Sequence, residues 1–269
     1  PGPVWDNRAH TGQWRHLVIR DGGGVLVSLV TTPDVTHEQA RTVADRIACL
    51  ERVRGIVWLV TDRMSDVAQG EQRAVFHGVS HLDVELGGVT MQLPHDAFFQ
   101  VNAAGAEILL DTIREALGPP TGRALLDLYC GVGAIGLALG REYAPVVGID
   151  ITPSAIALAR DNAERNGIEG EWHAGKVEDV LPTHSLPIPG GIIVDPPRAG
   201  LHPGAARYLA NLHADALIYV ACSPNSLARD RIVLEAGGWQ LSQLWTVDLF
   251  PQTPHVEAVG RFIRPIDPA

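Results

Sequence analysis

Cysteine is scarce in this chain, lysine nearly missing, and long apolar runs absent. The three cysteines, Cys49, Cys130 and Cys222, lie far apart and none belongs to a CxxC pair. Neither a disulfide framework nor a zinc or iron–sulfur site can be assembled from that spacing, so any thiol chemistry is expected to be catalytic. No stretch approaches the roughly 18 uninterrupted apolar residues of a membrane helix, and no charged-then-apolar leader precedes a cleavage site. A cytoplasmic location without membrane contact is therefore expected. The chain opens on Pro1 instead of Met, which leaves room for an N-terminal segment ahead of it. Basic charge is short as well: 21 Lys and Arg face 31 Asp and Glu, for a net charge of −10. That balance argues against broad, non-specific contact with nucleic acid, which a basic surface normally drives. Every basic residue except Lys176 is Arg, which suits bidentate phosphate contacts and suits a plain compositional bias equally well.

What remains is a soluble globular composition, 46% hydrophobic and 19% charged over 269 residues, enough for one large domain or two of ordinary size. Residues 16–32 read as two strands around a Gly hairpin, 36–53 as an amphipathic helix and 55–62 as another strand. A loop at 93–102 then feeds a helix with apolar residues at helical spacing, and GPPTG at 118–122 is the natural boundary. The expected division is thus an α+β domain with its linker helix at 1–117 and a second domain at 118–269. In the second, the apolar runs ALLDLY, PVVGID, GIIVD and ALIYVA alternate with helical stretches, the pattern of an α/β parallel sheet covered on both faces. The helix after PVVGID is framed by Thr152 as N-cap, Pro153 at its first position and Gly167 as its stop.

The strand ALLDLY breaks into CGVGAIG, in which Gly131, Gly133 and Gly136 fit GxGxxG, and Asp150 ends the next strand. Small residues let a ligand approach the backbone, and a carboxylate at the second strand's tip suits a ribose diol. The pattern points to an adenosine-bearing ligand without separating NAD from S-adenosylmethionine. Further on, YVACSPNSLARD at 219–230 places Cys222 at a strand exit, with Ser223 able to cap and Pro224 at the start of a helix. A helix N-terminus lowers a thiol's pKa, so Cys222 is the candidate nucleophile. Cys130 and Cys49 are expected to be small buried hydrophobes.

Taken together, DLYCGVG, DPPRAGLHP, ACSPNSLARD, FPQTPHVEAV and the upstream FFQVN at 98–102 resemble the ordered signature of the RNA 5-methyluridine methyltransferases, which methylate uridine in tRNA and rRNA with S-adenosylmethionine. The resemblance implies a Rossmann-like seven-stranded methyltransferase sheet whose last strand runs antiparallel between the fifth and the sixth, with a smaller mixed α/β domain before it. On that topology the start of HVEAVGRFI lies beside the exit of ALIYVA, bringing Glu257 to Cys222, with Asp195 flanking the same crevice. The resemblance casts Cys222 as the nucleophile that adds to carbon 6 of uracil and Glu257 as the base that removes the carbon 5 proton. Gln100, Tyr129, Gly131 and Asp150 match the family's cofactor contacts, and Asp195 is implied to hold the pyrimidine or the donor. The partner implied is a structured RNA with its target uridine flipped out of the stack, at a cost of a few kcal/mol; no protein partner is implied. His255 is expected to be a hydrogen-bonded structural residue.

Ala134 stands where many members carry Asn, and neither the upstream cluster cysteines nor the N-terminal oligonucleotide-binding barrel of many members is visible. Three other readings compete. A cytosine-5 RNA methyltransferase is expected to carry a second Cys after the Asp-Pro of the fourth strand, where Pro197 and Arg198 stand instead. A catalytically silent RNA-binding factor has no need of both Cys222 and Glu257. An NAD oxidoreductase has no use for VDPPR followed by a Cys at the next strand tip.

Overall fold

A computed structural model describes residues 2–64, 68–97, 102–143, 145–183 and 188–265. The chain forms two compact units, Pro1–Glu85 with Met91–Ala97, and Leu86–Thr90 with Phe98–Ala269.

In the first unit, β1 (Trp14–Asp21) doubles back antiparallel into β2 (Val25–Thr31). Helix α1 (His37–Ala48) crosses over to β3 (Val53–Val60), parallel to β2, and β4 (Glu71–Gly78) completes a sheet in the order β1-β2-β3-β4. A reciprocal cap starts α1: the Thr36 hydroxyl accepts the Gln39 N–H, and the Gln39 side chain accepts the Thr36 N–H at 2.9 Å. Val27, Leu29, Ala40, Ala44, Trp58 and Phe76 belong to one core cluster of this unit and Leu26, Val30, Val57, Leu59 and Leu82 form another, and the buried Trp58 indole donates to Thr31 Oγ1 at 2.9 Å. Cys49 ends α1 and is exposed, its thiol donating to the Asp45 carbonyl, which corrects the expectation of a buried hydrophobe: the helix closes before its thiol reaches the core. Next come β5 (His81–Leu86) and β6 (Val89–Pro94), a two-stranded ribbon turned by Gly87 and Gly88, both at positive φ (57° and 77°). Two successive residues at positive φ make the tight hairpin turn that matches strand twist, and glycine adopts it without strain.

The second unit opens with α2 (Ala103–Leu117), capped by Asn102, whose Oδ1 accepts the Gly105 N–H at 3.0 Å. Seven strands follow: β7 (Leu125–Leu128), β8 (Val146–Asp150), β9 (Gly170–Ala174), β10 (Gly191–Val194), β11 (Ala216–Ala221), β12 (Gln240–Val247) and β13 (Glu257–Ile263). Their order is β12-β13-β11-β10-β7-β8-β9, and β13 runs antiparallel to both β11 and β12. The inserted last strand therefore lies where the resemblance puts it. Helix α2 packs on β11, β12 and β13 through a stripe that includes Leu109, Leu110 and Ile113, so it folds with the sheet; the units separate near residue 97, upstream of the GPPTG boundary read from the sequence.

Helices α3 (Ala134–Tyr143) and α4 (Pro153–Asn166) cover β7, β8 and β9 on the side that Asp127 faces. The opposite side is built from Leu126, Leu128, Ile192, Leu217, Tyr219 and Phe262, under α5 (Val177–Val180), α6 (Pro203–Asn211) and α7 (Pro224–Ala236). Pro153 occupies the first turn of α4 and Gly167 closes it at φ 63°, as the sequence indicates, while Thr152 sits at the N-cap without a side-chain cap bond.

One buried carboxylate ties α7 to the loop after β10. Asp230 Oδ2 accepts the Leu201 N–H at 2.7 Å and the Tyr219 hydroxyl at 2.7 Å, while Oδ1 pairs with Arg229 at 2.7 Å. Removing an acceptor shared by buried donors leaves those donors unsatisfied. Asp230→Ala is expected to cost about 2–4 kcal/mol in urea unfolding; a loss below about 1 kcal/mol would mean that the loop is held by other contacts.

Candidate active site

Parallel strands expose their carboxyl ends at one edge of the sheet, and in open α/β folds that edge binds ligands. Four strand exits and one strand start meet there. β7 leads into Tyr129, Cys130 and Gly131, β8 ends on Asp150, β10 leads into Asp195, β11 into Cys222, and β13 begins at Glu257.

The turn after β7 is tightly specified. Tyr129, Gly131 and Gly133 all have positive φ (62°, 56° and 78°). A side chain at Gly133 would collide with the Trp172 ring, whereas a Cβ at Gly131 would meet nothing within 4 Å. Gly131 therefore borders open space that a ligand can enter. Tyr129, a rare non-glycine in this backbone region, packs its ring against the core, and burial pushes its hydroxyl up to about 12. Asp150 is fixed by two backbone donors: Oδ2 accepts the Gly131 N–H at 2.9 Å and Oδ1 the Thr152 N–H at 2.8 Å. Next to it Ile151 is 61% exposed, an aliphatic side chain open to solvent at the same edge. A backbone cradle without a side chain, a fixed carboxylate and an apolar platform fit the phosphate-free adenosyl group of a sulfonium donor.

At the other half of the edge, register places the two predicted catalytic residues together. Ala221 pairs with Ala258 in the antiparallel β11–β13 ladder, so the next pair outward is Cys222 and Glu257. Glu257 is 5% exposed, and burial raises its pKa. Asp195 is pushed up to about 7 by burial, then by the charges of Glu257 and Asp127. Cys222 is partly exposed, and its thiol sits above its ordinary value. Burial is the largest cause, followed by the carboxylates of Glu257 and Asp195, while Arg198 pulls the other way. This reverses the expectation that the helix N-terminus lowers it. Pro224 begins α7 as expected, but two nearby carboxylates and burial outweigh a partial positive charge. Ser223 is the N-cap residue, yet its side chain makes no cap bond.

Gln100 lies outside the described residues. His255 is exposed, its ring edge-on to Phe250 at 6.2 Å, and among the described residues only its backbone N–H is bonded, to Thr253 Oγ1, so the expected hydrogen-bonded role is not seen for its ring. Cys130 is half-buried beside the glycine turn, short of the fully buried hydrophobe expected, and its thiol is pushed well up by burial and by Asp127 and Asp150.

Sequence reading overlooked three residues at this edge. Asp127, 1% exposed, accepts the Gly136 N–H at 2.9 Å with Oδ2, and its Oδ1 has no partner among the described residues; burial and Asp150 push it up to about 7 despite that bond. An acid inside the apolar run LLDLY was the available signal. Ile151 follows an acidic strand tip, and Arg198 is the cation next to the thiol; neither carries a signal without the fold.

Two family models match the chain: the methyltransferase small domain over residues 100–214 and tRNA (uracil-5-)-methyltransferase over residues 188–264. An uncharacterized RNA methyltransferase of Clostridium acetobutylicum is 32% identical over 98% of this chain and 59% of its own length. One from Nitratidesulfovibrio vulgaris is 35% identical over 96% and 57%. Among solved structures, the Pyrococcus abyssi tRNA (uracil-54, C5)-methyltransferase in complex with S-adenosyl-L-homocysteine superposes with a TM-score of 0.82 at 30% identity, covering 96% of this chain and 62% of that one. The tRNA m1G37 methyltransferase of Methanocaldococcus jannaschii, at 14% identity and a TM-score of 0.57 over 93% of this chain and 75% of that one, shares the fold alone. The chain spans less than two thirds of the length of the curated RNA methyltransferases it matches and of the Pyrococcus abyssi enzyme. With the signature motifs in order on this seven-stranded sheet, the chain resembles the tRNA (uracil-5-)-methyltransferases, whose family model matches residues 188–264, and is similar over nearly its whole length to proteins named as RNA methyltransferases.

Proposed function

We propose that this chain is the methyl-transferring part of an enzyme that moves a methyl group from S-adenosylmethionine to carbon 5 of a flipped uridine in tRNA or rRNA. The observation that carries the reading is the ladder register that sets Cys222 and Glu257 side by side at the edge shared with the open glycine turn. Gly131 and Asp150 receive the adenosyl end of the donor, with Ile151 against its base, and Asp195 orients the groups between the two halves of the crevice. The first unit, similar in character to the family's central domain, serves as the RNA-facing module.

Carbon 5 of uracil is a weak nucleophile, so a covalent route makes it reactive. Cys222 forms a bond from its sulfur to carbon 6, the double-bond electrons shift toward the carbonyl at position 4, and carbon 5 takes the methyl carbon as S-adenosylhomocysteine departs with the sulfur–methyl bonding pair. Glu257 then accepts the carbon 5 proton. The freed electron pair restores the ring double bond and expels the Cys222 thiolate. A carboxylate whose pKa is raised by burial is suited to this step, because proton transfer is most efficient when donor and acceptor are matched near the working pH.

Cys222→Ala is expected to lower methyl transfer by about 10⁴-fold or more while leaving donor affinity, measured by calorimetry, within about twofold. Substantial turnover by that variant would refute the covalent route. Glu257→Gln is expected to accumulate a protein–RNA adduct that survives a denaturing gel, and a variant that turns over without such a band would remove Glu257 from the proton step. A third prediction follows from the paired acids. Asp127 and Asp195 are raised from the ordinary 3.8 to about 7 in the folded chain, so the native state binds more protons than the unfolded state between those values. Their contribution to stability falls as pH rises through that window. Asp195→Asn cannot titrate and is expected to lose fewer degrees of Tm between pH 5 and pH 8 than the parent; an identical or steeper loss would contradict the raised value.

A further inference from the structure

We propose that Arg198 is a positioning residue for Cys222, its guanidinium held toward the thiol so that the sulfur can stand as thiolate between two carboxylates. This rests on the methyltransferase reading for its purpose, though not for its first test. Three observations bring Arg198 to this role.

The turn that carries it is clamped from below. The Gly200 N–H donates to the Pro197 carbonyl at 2.7 Å, Leu201 N–H to Asp230 at 2.7 Å, and Arg229 to the Ala199 carbonyl at 2.6 Å. Gly200, at φ +83°, lies where a Cβ would fall 2.5 Å from Asp230 Oδ2, so the backbone passes too close to α7 for any side chain. The second observation is position. Strands β10 and β11 are parallel neighbours with Val194 beside Tyr219, so the DPPR turn leaves the sheet next to the exit that bears Cys222. The third is that Arg198 is exposed and has neither an ion pair nor a hydrogen bond among the described residues. The Cys222 thiol feels the charges of Glu257 from β13 and of Asp195 beyond the tip of β10, and among the described residues Arg198 is the cation that opposes them.

A guanidinium stays charged at every relevant pH, so it opposes the carboxylates wherever they are ionised. On deprotonation the thiol proton passes to water and the sulfur keeps the electron pair that later bonds to carbon 6. Without Arg198 the formal charges that act on the sulfur among the described residues are those of the two carboxylates.

Iodoacetamide reads this directly, since only the thiolate displaces iodide to form the sulfur–carbon bond. The full chain, Arg198→Gln and Arg198→Lys are alkylated across a pH series, and the Cys222 peptide is quantified by mass spectrometry, which separates it from Cys49 and Cys130. The midpoint for Arg198→Gln is expected to rise by about one pH unit, while Arg198→Lys stays within about 0.3 of the parent. In methyl transfer to RNA, Arg198→Gln is expected to lower kcat about tenfold at pH 7, recover most of it at pH 9, and change KM for RNA by less than about threefold. Superimposable alkylation curves for parent and Arg198→Gln would overturn the proposal. So would a loss confined to KM and unchanged with pH, which marks a phosphate contact instead. Alkylation needs neither donor nor RNA, so a shifted curve without uridine methylation would sink the proposed reaction and leave the role of Arg198 standing.

Discussion

The antiparallel seam between β11 and β13 is the constraint on which the site depends. Ala221 opposite Ala258 fixes Cys222 and Glu257 as the next pair. Side chains alternate across a strand, so a slip of one residue would turn Glu257 to the other face and expose the buried ring of Phe262. Val259 and Phe262, fully buried in the same strand, therefore hold the register through packing that takes no part in chemistry. Strand β12 completes the arrangement by pairing with the other edge of β13.

Electrostatics supplies the second theme. Asp127, Asp195 and Glu257 all have raised pKa values along one crevice, chiefly from burial. A crevice lined by these acids suits cations, and the proposed reading supplies two: the sulfonium donor on one side and the guanidinium of Arg198 on the other.

Much of this was legible in the residues because buried parallel strands leave continuous apolar runs. ALIYVA is buried along its entire length, and GIIV likewise. The glycine turn was legible because its backbone admits few other residues. What escaped was polar or half-exposed: β4 (EQRAVFHG) has one buried residue, β9 (GEWHA) is a five-residue edge strand, and β12 (QLSQLWTV) is an edge strand exposed on most positions. Edge strands face water on one or more sides and so lose the apolar signature by which strands are found. The state of the Cys222 thiol was misjudged for a related reason. The adjacent helix is visible in the sequence, and the resemblance already sets Glu257 and Asp195 beside the thiol, but that burial and these carboxylates outweigh the helix end depends on how the fold packs around it. The placement of α2 with the sheet escaped because GPPTG marks a turn in the chain and not the limit of a packed unit.

The central claim, a transient bond between the Cys222 sulfur and carbon 6 of uridine, is tested most directly with RNA carrying 5-fluorouridine. Fluorine at carbon 5 cannot leave as a proton does, so the adduct should persist. Incubation with S-adenosylmethionine followed by peptide mapping should find a methylated fluorouridine linked to the peptide that contains Cys222. Uridine methylation by the chain with no such linkage, or a linkage on another residue, would contradict the account.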